Sequence, residues 1–202
     1  LFSDNIKEDC KRRDFTINAL CYNNNEGLLD FFGGVNDLSN KIIRCIGNAN
    51  ERIDEDALRI LRALRFAGRL SFTIEENTAT AIHKQKDLLH YISEERIHSE
   101  WIGILETNAL SSILTEYSDV IQVFIPELKE NIIQESISSI NQCPLSANIR
   151  TAILLKEIPN VKEILERLKY SGAEQTVILS CIQSSMQTLS SKIELKRFLS
   201  TL

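Results

Sequence analysis

Residues 54–70 read DEDALRILRALRFAGRL, the most regular pattern in the chain. From Ala57 to Ala67 every position is apolar except for an arginine at every third residue. In an α-helix a step of three residues advances by about 300°, so these arginines form a ridge that slants across the helix surface. The pattern predicts one strong helix over residues 50–70 that is buried on most of its circumference. Its charged ridge comprises Asp56, Arg59, Arg62 and Arg65.

This ridge is predicted to face an anion. Only Glu55 and Asp56 supply acidic side chains within one turn of the three arginines, which leaves at least one positive charge without a local partner. Guanidinium groups donate in a planar fork that suits phosphate oxygens and the Watson–Crick edge of a base, and an adjacent Asp adds an acceptor for the amino group of cytosine or adenine. The alternative is a solvated helix face with surface ion pairs worth about 0–1 kcal/mol each. Periodicity alone favours that alternative.

The composition is typical of a soluble globular protein. Of the 202 residues, 43% are apolar and 25% are charged, which suffices for a buried core in one or two domains. No apolar run approaches the ~20 residues of a membrane-spanning helix, and residues 1–4 contain no basic leader, so the sequence predicts a cytoplasmic protein without a membrane partner. The whole net charge of −5 falls on residues 71–202, so a phosphate-binding surface is expected in the first third of the chain.

The Cys and His residues predict neither a metal centre nor a disulfide framework. The five cysteines form no C-x-x-C pair, and their odd number is typical of buried, reduced thiols. The three histidines include no His-Asp doublet, so a metal-dependent phosphohydrolase is not indicated. The cysteines are Cys10, Cys21, Cys45, Cys143 and Cys181, and the histidines are His83, His90 and His98.

Seven Gly and three Pro leave few breaks in long stretches of helical periodicity, which predicts a mainly α-helical fold. Two short strands around a small helix are expected within residues 27–47, as the edge of a mixed α/β unit. Residues 73–76 are predicted to form a capping box that opens the next helix, and Ser93 is predicted to cap a third helix that continues to Leu105. Shorter helices are expected beyond residue 110, separated at Pro126, Pro144 and Pro159.

Three segments together resemble a known family. They are KRRDFTINAL at residues 11–20, DFFGGVNDL at residues 30–38 and EDALR at residues 55–59. In this order and spacing they closely resemble the second, third and fourth signature motifs of class II tRNA nucleotidyltransferases (CCA-adding enzymes) and of the related bacterial poly(A) polymerases. The resemblance is close over residues 5–105 and looser from residue 110 onward. It favours a nucleotide-recognition helix over a solvated helix face.

The resemblance implies roles for seven residues of this chain. Arg13 would bind the ribose or phosphates of the incoming nucleotide, with support from Asp14 and Asn18. Asp56 and Arg59 would recognise the Watson–Crick edge of CTP or ATP. The triphosphate or its surroundings would be held by Arg62 and Arg65.

Family members begin with a Gly-Gly…Arg-Asp segment and an Asp-x-Asp pair whose carboxylates hold two Mg²⁺ ions. This chain starts downstream of both, so the resemblance implies a fragment without catalytic or metal-binding residues that does not catalyse transfer by itself. Mg²⁺ is implied for the complete enzyme only. Asp54 and Asp56 do spell Asp-x-Asp, but residues i and i+2 of a helix point about 200° apart and could not hold one metal jointly. Gly33-Gly34 is followed by no arginine at the family's spacing.

The implied fold is mainly α. Residues 1–50 would be the C-terminal part of a nucleotidyltransferase head, with short strands and a helix. Residues 51–110 would be a neck that carries the nucleotide-recognition helix, and residues 111–202 a helical body that binds the acceptor arm of tRNA. The segment with Gly33, Gly34 and Asp37 would be either a hinge between CTP and ATP states or a strand-to-helix turn.

The implied function is the nucleotide-selecting and tRNA-binding part of an enzyme that adds CCA to tRNA 3′ ends from CTP and ATP. Two alternatives remain open: a poly(A) polymerase fragment, and a non-catalytic RNA-binding subunit derived from the family. A plain helical interaction domain would leave three ordered motifs unexplained. The sequence leaves the oligomeric state open.

Overall fold

The computed structural model describes residues 6–185, and helices dominate this part of the chain. The prediction of a mainly α fold is therefore confirmed. Short 3-10 turns cover Thr16–Asn18 and Lys86–Tyr91. The helices are α1 Ile6–Lys11, α2 Gly34–Ser39, α3 Ala49–Glu55, α4 Arg59–Leu70, α5 Glu76–Gln85, α6 Glu94–Leu105, α7 Leu110–Glu116, α8 Ser118–Phe124, α9 Glu130–Gln142, α10 Ala147–Leu155, α11 Val161–Arg167 and α12 Gly172–Ser185.

Four short strands form two small ladders near the first helices. β1 (Leu20–Asn23) pairs antiparallel with β2 (Gly27–Asp30), and β3 (Ile42–Ile43) pairs in parallel with β4 (Thr73–Ile74). The predicted arrangement of two short strands around a small helix is confirmed by β2, α2 and β3, whereas β1 was not predicted. A boundary between head and neck was expected at residue 50, and the β3–β4 pair joins the segments on its two sides. The boundary itself stays a prediction.

The prediction of a capping box at residues 73–76 is wrong. The N–H of Thr73 donates to the carbonyl of Lys41 at 2.9 Å, so Thr73 belongs to the pairing of β4 with β3 and does not cap a helix. Glu75 is the N-cap instead, because its carboxylate accepts the N–H of Thr78 at 2.8 Å. Ser93 does occupy the N-cap position of α6, which ends at Leu105 as expected, although its side chain makes no capping hydrogen bond.

The predicted single helix over residues 50–70 is broken into α3 and α4. Asp56 is extended, with φ −155°, and its carboxylate accepts the N–H of Leu58 at 3.2 Å. Asp competes with helical hydrogen bonding by bonding to nearby main-chain N–H groups in this way, which explains the break. Asp56 therefore precedes the helix, and the charged ridge on α4 begins at Arg59.

Helix α4 is the central element of the core. Apolar residues cover most of its circumference, as predicted: Ile60, Leu61, Ala63, Leu64 and Ala67 are all buried. It packs along α6, and Gly68 lets it approach the next elements closely, since a Cβ there would lie 2.7 Å from both Thr107 and Ile113.

The later helices are separated at the predicted prolines, between α8 and α9, α9 and α10, and α10 and α11. Buried Arg150 of α10 donates to the carbonyls of Leu105 and Thr107 and so binds the C-terminal end of α6. Within residues 6–185, no helix combines the length and apolarity that crossing a bilayer requires.

Candidate functional site

Asp14 lies at the centre of the candidate site and is only 8% exposed. Its Oδ1 accepts the N–H of Phe15 and the side-chain amide of Asn18, both at 2.9 Å. Its Oδ2 accepts two N–H groups of Arg62, at 2.8 and 2.6 Å. Burial acts to raise the pKa of Asp14, but the hydrogen bonds from Asn18 and Arg62 and the charge of Arg62 outweigh it and hold the pKa below its ordinary value. The carboxylate is therefore ionised and fixed at neutral pH.

The charge of the ridge is balanced from distant parts of the chain. Arg62 lies between Asp14 and Glu100, with its Nη1 3.5 Å from Glu100 Oε1. Arg65 donates from Nε to the other oxygen of Glu100 at 2.5 Å. Both arginines therefore have carboxylate partners within the protein, which a search limited to one helical turn did not find, so their charge alone does not require an external anion.

Two other arginines hold the main chain of the segment that precedes Asp14. Arg52, which is buried, donates from Nη2 to the carbonyl of Arg13 at 2.7 Å. Arg59 donates from Nη2 to the carbonyl of Arg12 at 3.3 Å. Both guanidinium groups also share the carboxylate of Glu55. We call Arg52 and Arg59 the arginine clamp, because they fix the position of the chain on which Arg13 lies.

Asp56 and Arg59, the predicted base-recognition pair, both have protein partners. Arg96 of α6 donates from Nη2 to both carboxylate oxygens of Asp56, at 3.1 and 2.9 Å. Arg59 lies 2.9 Å from Glu55. Half of the Arg96 side chain is exposed to solvent, so water weakens this ion pair.

Six of the seven predicted site residues line one open cleft of about 460 Å³, a volume within the usual range of ligand sites. Phe66 adds an aromatic wall, and its ring centroid lies 5.6 Å from the guanidinium carbon of Arg62. The cleft thus combines planar cationic donors, fixed acceptors and an aromatic face. The six residues are Arg13, Asp14, Asn18, Asp56, Arg59 and Arg62.

Arg65, the seventh predicted residue, is not brought into this cleft. It lines a second cavity of about 520 Å³ between α4 and α6, together with Arg69, Ser99 and Glu106. Gly103 makes room for it, since a Cβ at that position would collide with the Arg65 side chain. Glu100 binds arginines of both cavities and so forms part of the wall between them.

The segment with Gly33, Gly34 and Asp37 packs against Thr16, which lies between Asp14 and Asn18 in the chain. Gly33 adopts φ +78°, and a Cβ on Gly34 would collide with the main-chain oxygen of Thr16. The carboxylate of Asp30 accepts the N–H groups of Gly34 and Val35, at 2.8 and 2.9 Å, and so starts α2. Asp37 is buried and accepts hydrogen bonds from the Thr16 hydroxyl and from Arg44, at 2.7 and 3.1 Å. These contacts fit a tightly packed turn, and a hinge role stays a prediction.

The described residues 6–185 contain no group of three or more His, Cys, Asp or Glu side chains arranged to hold a metal ion. The five cysteines are free thiols. The expectation that Asp54 and Asp56 lie on one helix is wrong, because α3 ends at Glu55. The carboxylate of Asp54 accepts a hydrogen bond from Gln85, and that of Asp56 accepts from Arg96.

Four residues of the site were not predicted. Arg52, Arg96 and Glu100 orient the predicted residues through contacts that join distant segments, and Phe66 lines the cleft. The family resemblance over residues 5–105 includes both Arg96 and Glu100 and could have directed attention to them, but it implied a role for neither.

Two family models match the sequence. The Poly A polymerase head domain matches residues 1–44, and the probable RNA and SrmB-binding site of polymerase A matches residues 71–132. A CCA-adding enzyme of Streptococcus sanguinis is 38% identical over 197 residues, which cover 91% of this chain and 49% of the relative. The chain spans about half or less of the length of the curated relatives it matches.

Solved structures resemble the described fold. The CCA-adding enzyme of Bacillus stearothermophilus in complex with CTP matches with a TM-score of 0.76 and 28% identity, over 89% of this chain and 46% of that one. The Thermotoga maritima CCA-adding enzyme complexed with tRNA matches with a TM-score of 0.70 and 27% identity, over 90% of this chain and 48% of that one.

Proposed function

The chain belongs to the family of class II CCA-adding enzymes and poly(A) polymerases, and we propose that its cleft selects the incoming CTP or ATP in a protein that adds CCA to tRNA 3′ ends. The observation that carries the proposal is the convergence of six predicted residues on one cleft. These residues come from two segments far apart in sequence and offer donors and acceptors side by side. The CTP complex of the similar Bacillus stearothermophilus enzyme supports a nucleotide ligand.

Each group in the cleft has a role in this proposal. The exposed side chain of Arg13 contacts the ribose or phosphates, while Asp14 and Asn18 hold the segment in place. Asp56 accepts from the exocyclic amino group of the base, and Arg59 donates to the ring edge. Arg62 fixes Asp14 and presents its remaining donors to the triphosphate.

Replacing Asp56 or Arg59 by alanine in the full-length protein is expected to impair discrimination among CTP, ATP, GTP and UTP by about 1–3 kcal/mol, the scale of good bidentate base contacts. The measurement is kcat/KM for each nucleotide on a tRNA that lacks its CCA end. Arg167→Ala is the matched control, because it removes an ion pair with Glu127 on the helical part of the chain.

Unchanged nucleotide preference with lowered stability alone would contradict the role of this pair and restore the solvated helix face. The same assay tests the reaction: incorporation of A alone, even with CTP present, would identify a poly(A) polymerase. Failure of the full-length protein to incorporate any nucleotide would favour the non-catalytic RNA-binding alternative.

The partner of the helical part is, in this proposal, the acceptor arm of tRNA. A family model described as a probable RNA-binding site covers residues 71–132, and the similar Thermotoga maritima enzyme was solved with tRNA. The cavity between α4 and α6 offers a path for an RNA phosphate next to the cleft. Arg69 lies exposed at this cavity and makes no ion pair with any carboxylate of residues 6–185.

Arg69→Ala is expected to weaken tRNA binding and to reduce the slope of log affinity against log salt by about 1, the effect of losing one phosphate contact. Binding titrations at several salt concentrations measure both quantities. Lys162→Ala serves as the control, because Lys162 is an exposed cation on α11 that forms a loose pair with Glu166 at 3.8 Å. An equal effect of both variants would indicate general charge loss and not a contact at this cavity.

The resemblance also implies Mg²⁺ and a cytoplasmic location, and both belong to the proposal. The side chains of residues 6–185 do not fit a metal ion, so they are assigned no metal-dependent step. In the family the metal carboxylates belong to an Asp-x-Asp pair upstream of the motifs matched here. The residues of this chain bind and orient the nucleotide and the RNA.

A further inference from the structure

Cys10 and Cys21 lie in contact, with their Sγ atoms 3.2 Å apart. They belong to a small apolar cluster, separate from the main core, that also contains Ala19, Ile46 and Phe32. Cys10 is fully buried at the end of α1, and Cys21 is partly exposed on β1. A disulfide bond is about 2.05 Å long, so an approach of about 1 Å would bring the two sulfur atoms to bonding distance.

The two cysteines enclose the segment that supplies half of the cleft. Residues 11–20 lie between them, and Arg13, Asp14 and Asn18 of this segment line the cleft. The link is also direct, because the carbonyl of Cys10 accepts the N–H of Arg13 at 3.1 Å. A bond between the two sulfur atoms would therefore close a short loop around these three residues.

We propose that Cys10 and Cys21 form a reversible disulfide on exposure to a peroxide, and that this bond restrains the loop that carries Arg13, Asp14 and Asn18. The Cys21 thiolate attacks one oxygen of hydrogen peroxide, the O–O bond breaks, and hydroxide leaves, so that Cys21 becomes a sulfenic acid. The Cys10 sulfur then attacks the Cys21 sulfur, the S–O bond breaks, and water leaves with the proton of Cys10. Two thiols lose two electrons, and the peroxide gains them.

The environment of each thiol sets this order. Burial and the contact with Cys21 raise the pKa of Cys10 to about 11, so Cys10 keeps its proton at neutral pH and is shielded from solvent. Cys21 is the one of the two that a solvent-borne peroxide reaches. A small thiol such as dithiothreitol reverses the bond by thiol–disulfide exchange.

The other three cysteines have no second thiol at bonding distance. Cys45 is buried beside Thr78, and burial raises its pKa to about 11. Cys143 donates to the carbonyl of Ile140 within its own helix end. Cys181 lies on α12, far along the chain. Among the five cysteines, only Cys10 and Cys21 are therefore placed to form a disulfide within the chain.

Peptide mapping of the full-length protein tests the proposal directly. Trypsin cleaves after Lys11, Arg12 and Arg13, so it separates the two cysteines, and residues 8–11 stay attached to residues 14–41 only through a disulfide. After peroxide treatment we expect this linked pair in mass spectra, and we expect it to disappear with dithiothreitol. Cys21→Ser should abolish it, whereas Cys181→Ser should leave it unchanged.

Amide hydrogen exchange provides the second readout, and slower exchange at residues 11–20 in the oxidised protein is expected. Peroxide that oxidises Cys143 or Cys181 while residues 8–11 and 14–41 remain unlinked would overturn the proposal. A cross-link without any change in exchange would overturn the restraint on the loop. Neither readout depends on nucleotide or tRNA, so their failure is separate from failure of the proposed function.

Discussion

Asp14→Asn is expected to lower the free energy of unfolding by about 2–3 kcal/mol and to weaken nucleotide binding at the same time. Removing one partner of a buried ion pair leaves the other charge uncompensated, which costs about 3–5 kcal/mol when both are fully buried. Arg62 is one-third exposed and retains Glu100 at 3.5 Å, so the lower estimate applies. Urea unfolding and nucleotide titration of the full-length protein measure the two effects.

The effect of Asp14→Asn on stability is also expected to depend on pH. Because folding lowers the pKa of Asp14, its carboxylate stabilises the fold above its unfolded-state pKa, and this contribution is lost as pH falls through the folded-state pKa. The difference in stability between wild type and Asp14→Asn should therefore shrink in acid. Asp9→Asn is the control, since Asp9 is more than half exposed and its ion pairs are 3.5 and 3.6 Å long. Equal losses in both variants would contradict the central position of Asp14.

Gly34→Ala is expected to destabilise the protein by about 3 kcal/mol or more, the upper end of the cost of overpacking. The added Cβ collides with the main-chain oxygen of Thr16 and lies 3.0 Å from Leu20 Cδ2. A main-chain oxygen cannot move aside as a flexible side chain can. The turn that supports Asp14 and Asn18 must shift, so nucleotide binding should fall together with the melting temperature.

Gly33→Ala is the matched control for this steric argument. Gly33 has φ +78°, and a Cβ there would meet no other atom within 4 Å. Alanine at this position is therefore expected to cost only the strain of the left-handed conformation, about 1–2 kcal/mol. Thermal unfolding of the two variants side by side distinguishes the causes. If Gly33→Ala were the more damaging, the requirement at this motif would be for backbone flexibility, as a hinge needs, and not for close packing.

The residues that line the cleft could be predicted where they lie in short motifs. Arg13, Asp14 and Asn18 lie within a stretch of six residues, and Arg59 and Arg62 follow helical spacing, so local patterns and the family resemblance sufficed. The burial of α4 followed from its apolar periodicity in the same way. Arg65 shares this spacing but faces the neighbouring cavity, because a step of three residues also rotates the side chain around the helix.

The partners of these residues could not be predicted from local patterns. Glu100 and Arg96 reach the site across the α4–α6 packing, and nothing within one turn of either residue indicates which arginine or aspartate it meets. The break at Asp56 was missed because apolar periodicity continues through it, while a single side-chain hydrogen bond to Leu58 ends the helix. Strand β4 was missed because two residues are too short for any alternation.

The arginine clamp also limits where this molecule could bend. Arg52 binds the carbonyl of residue 13, Arg59 binds the carbonyl of residue 12, and Arg62 binds the carboxylate of residue 14. These three consecutive residues are therefore held against α3 and α4. A rotation of β1 and β2 against the helices would leave these contacts intact, and its pivot would lie after residue 14. The arginine clamp binds main-chain carbonyl oxygens, which every residue has. Substitutions of the side chains at positions 12 and 13 would therefore leave these hydrogen bonds in place.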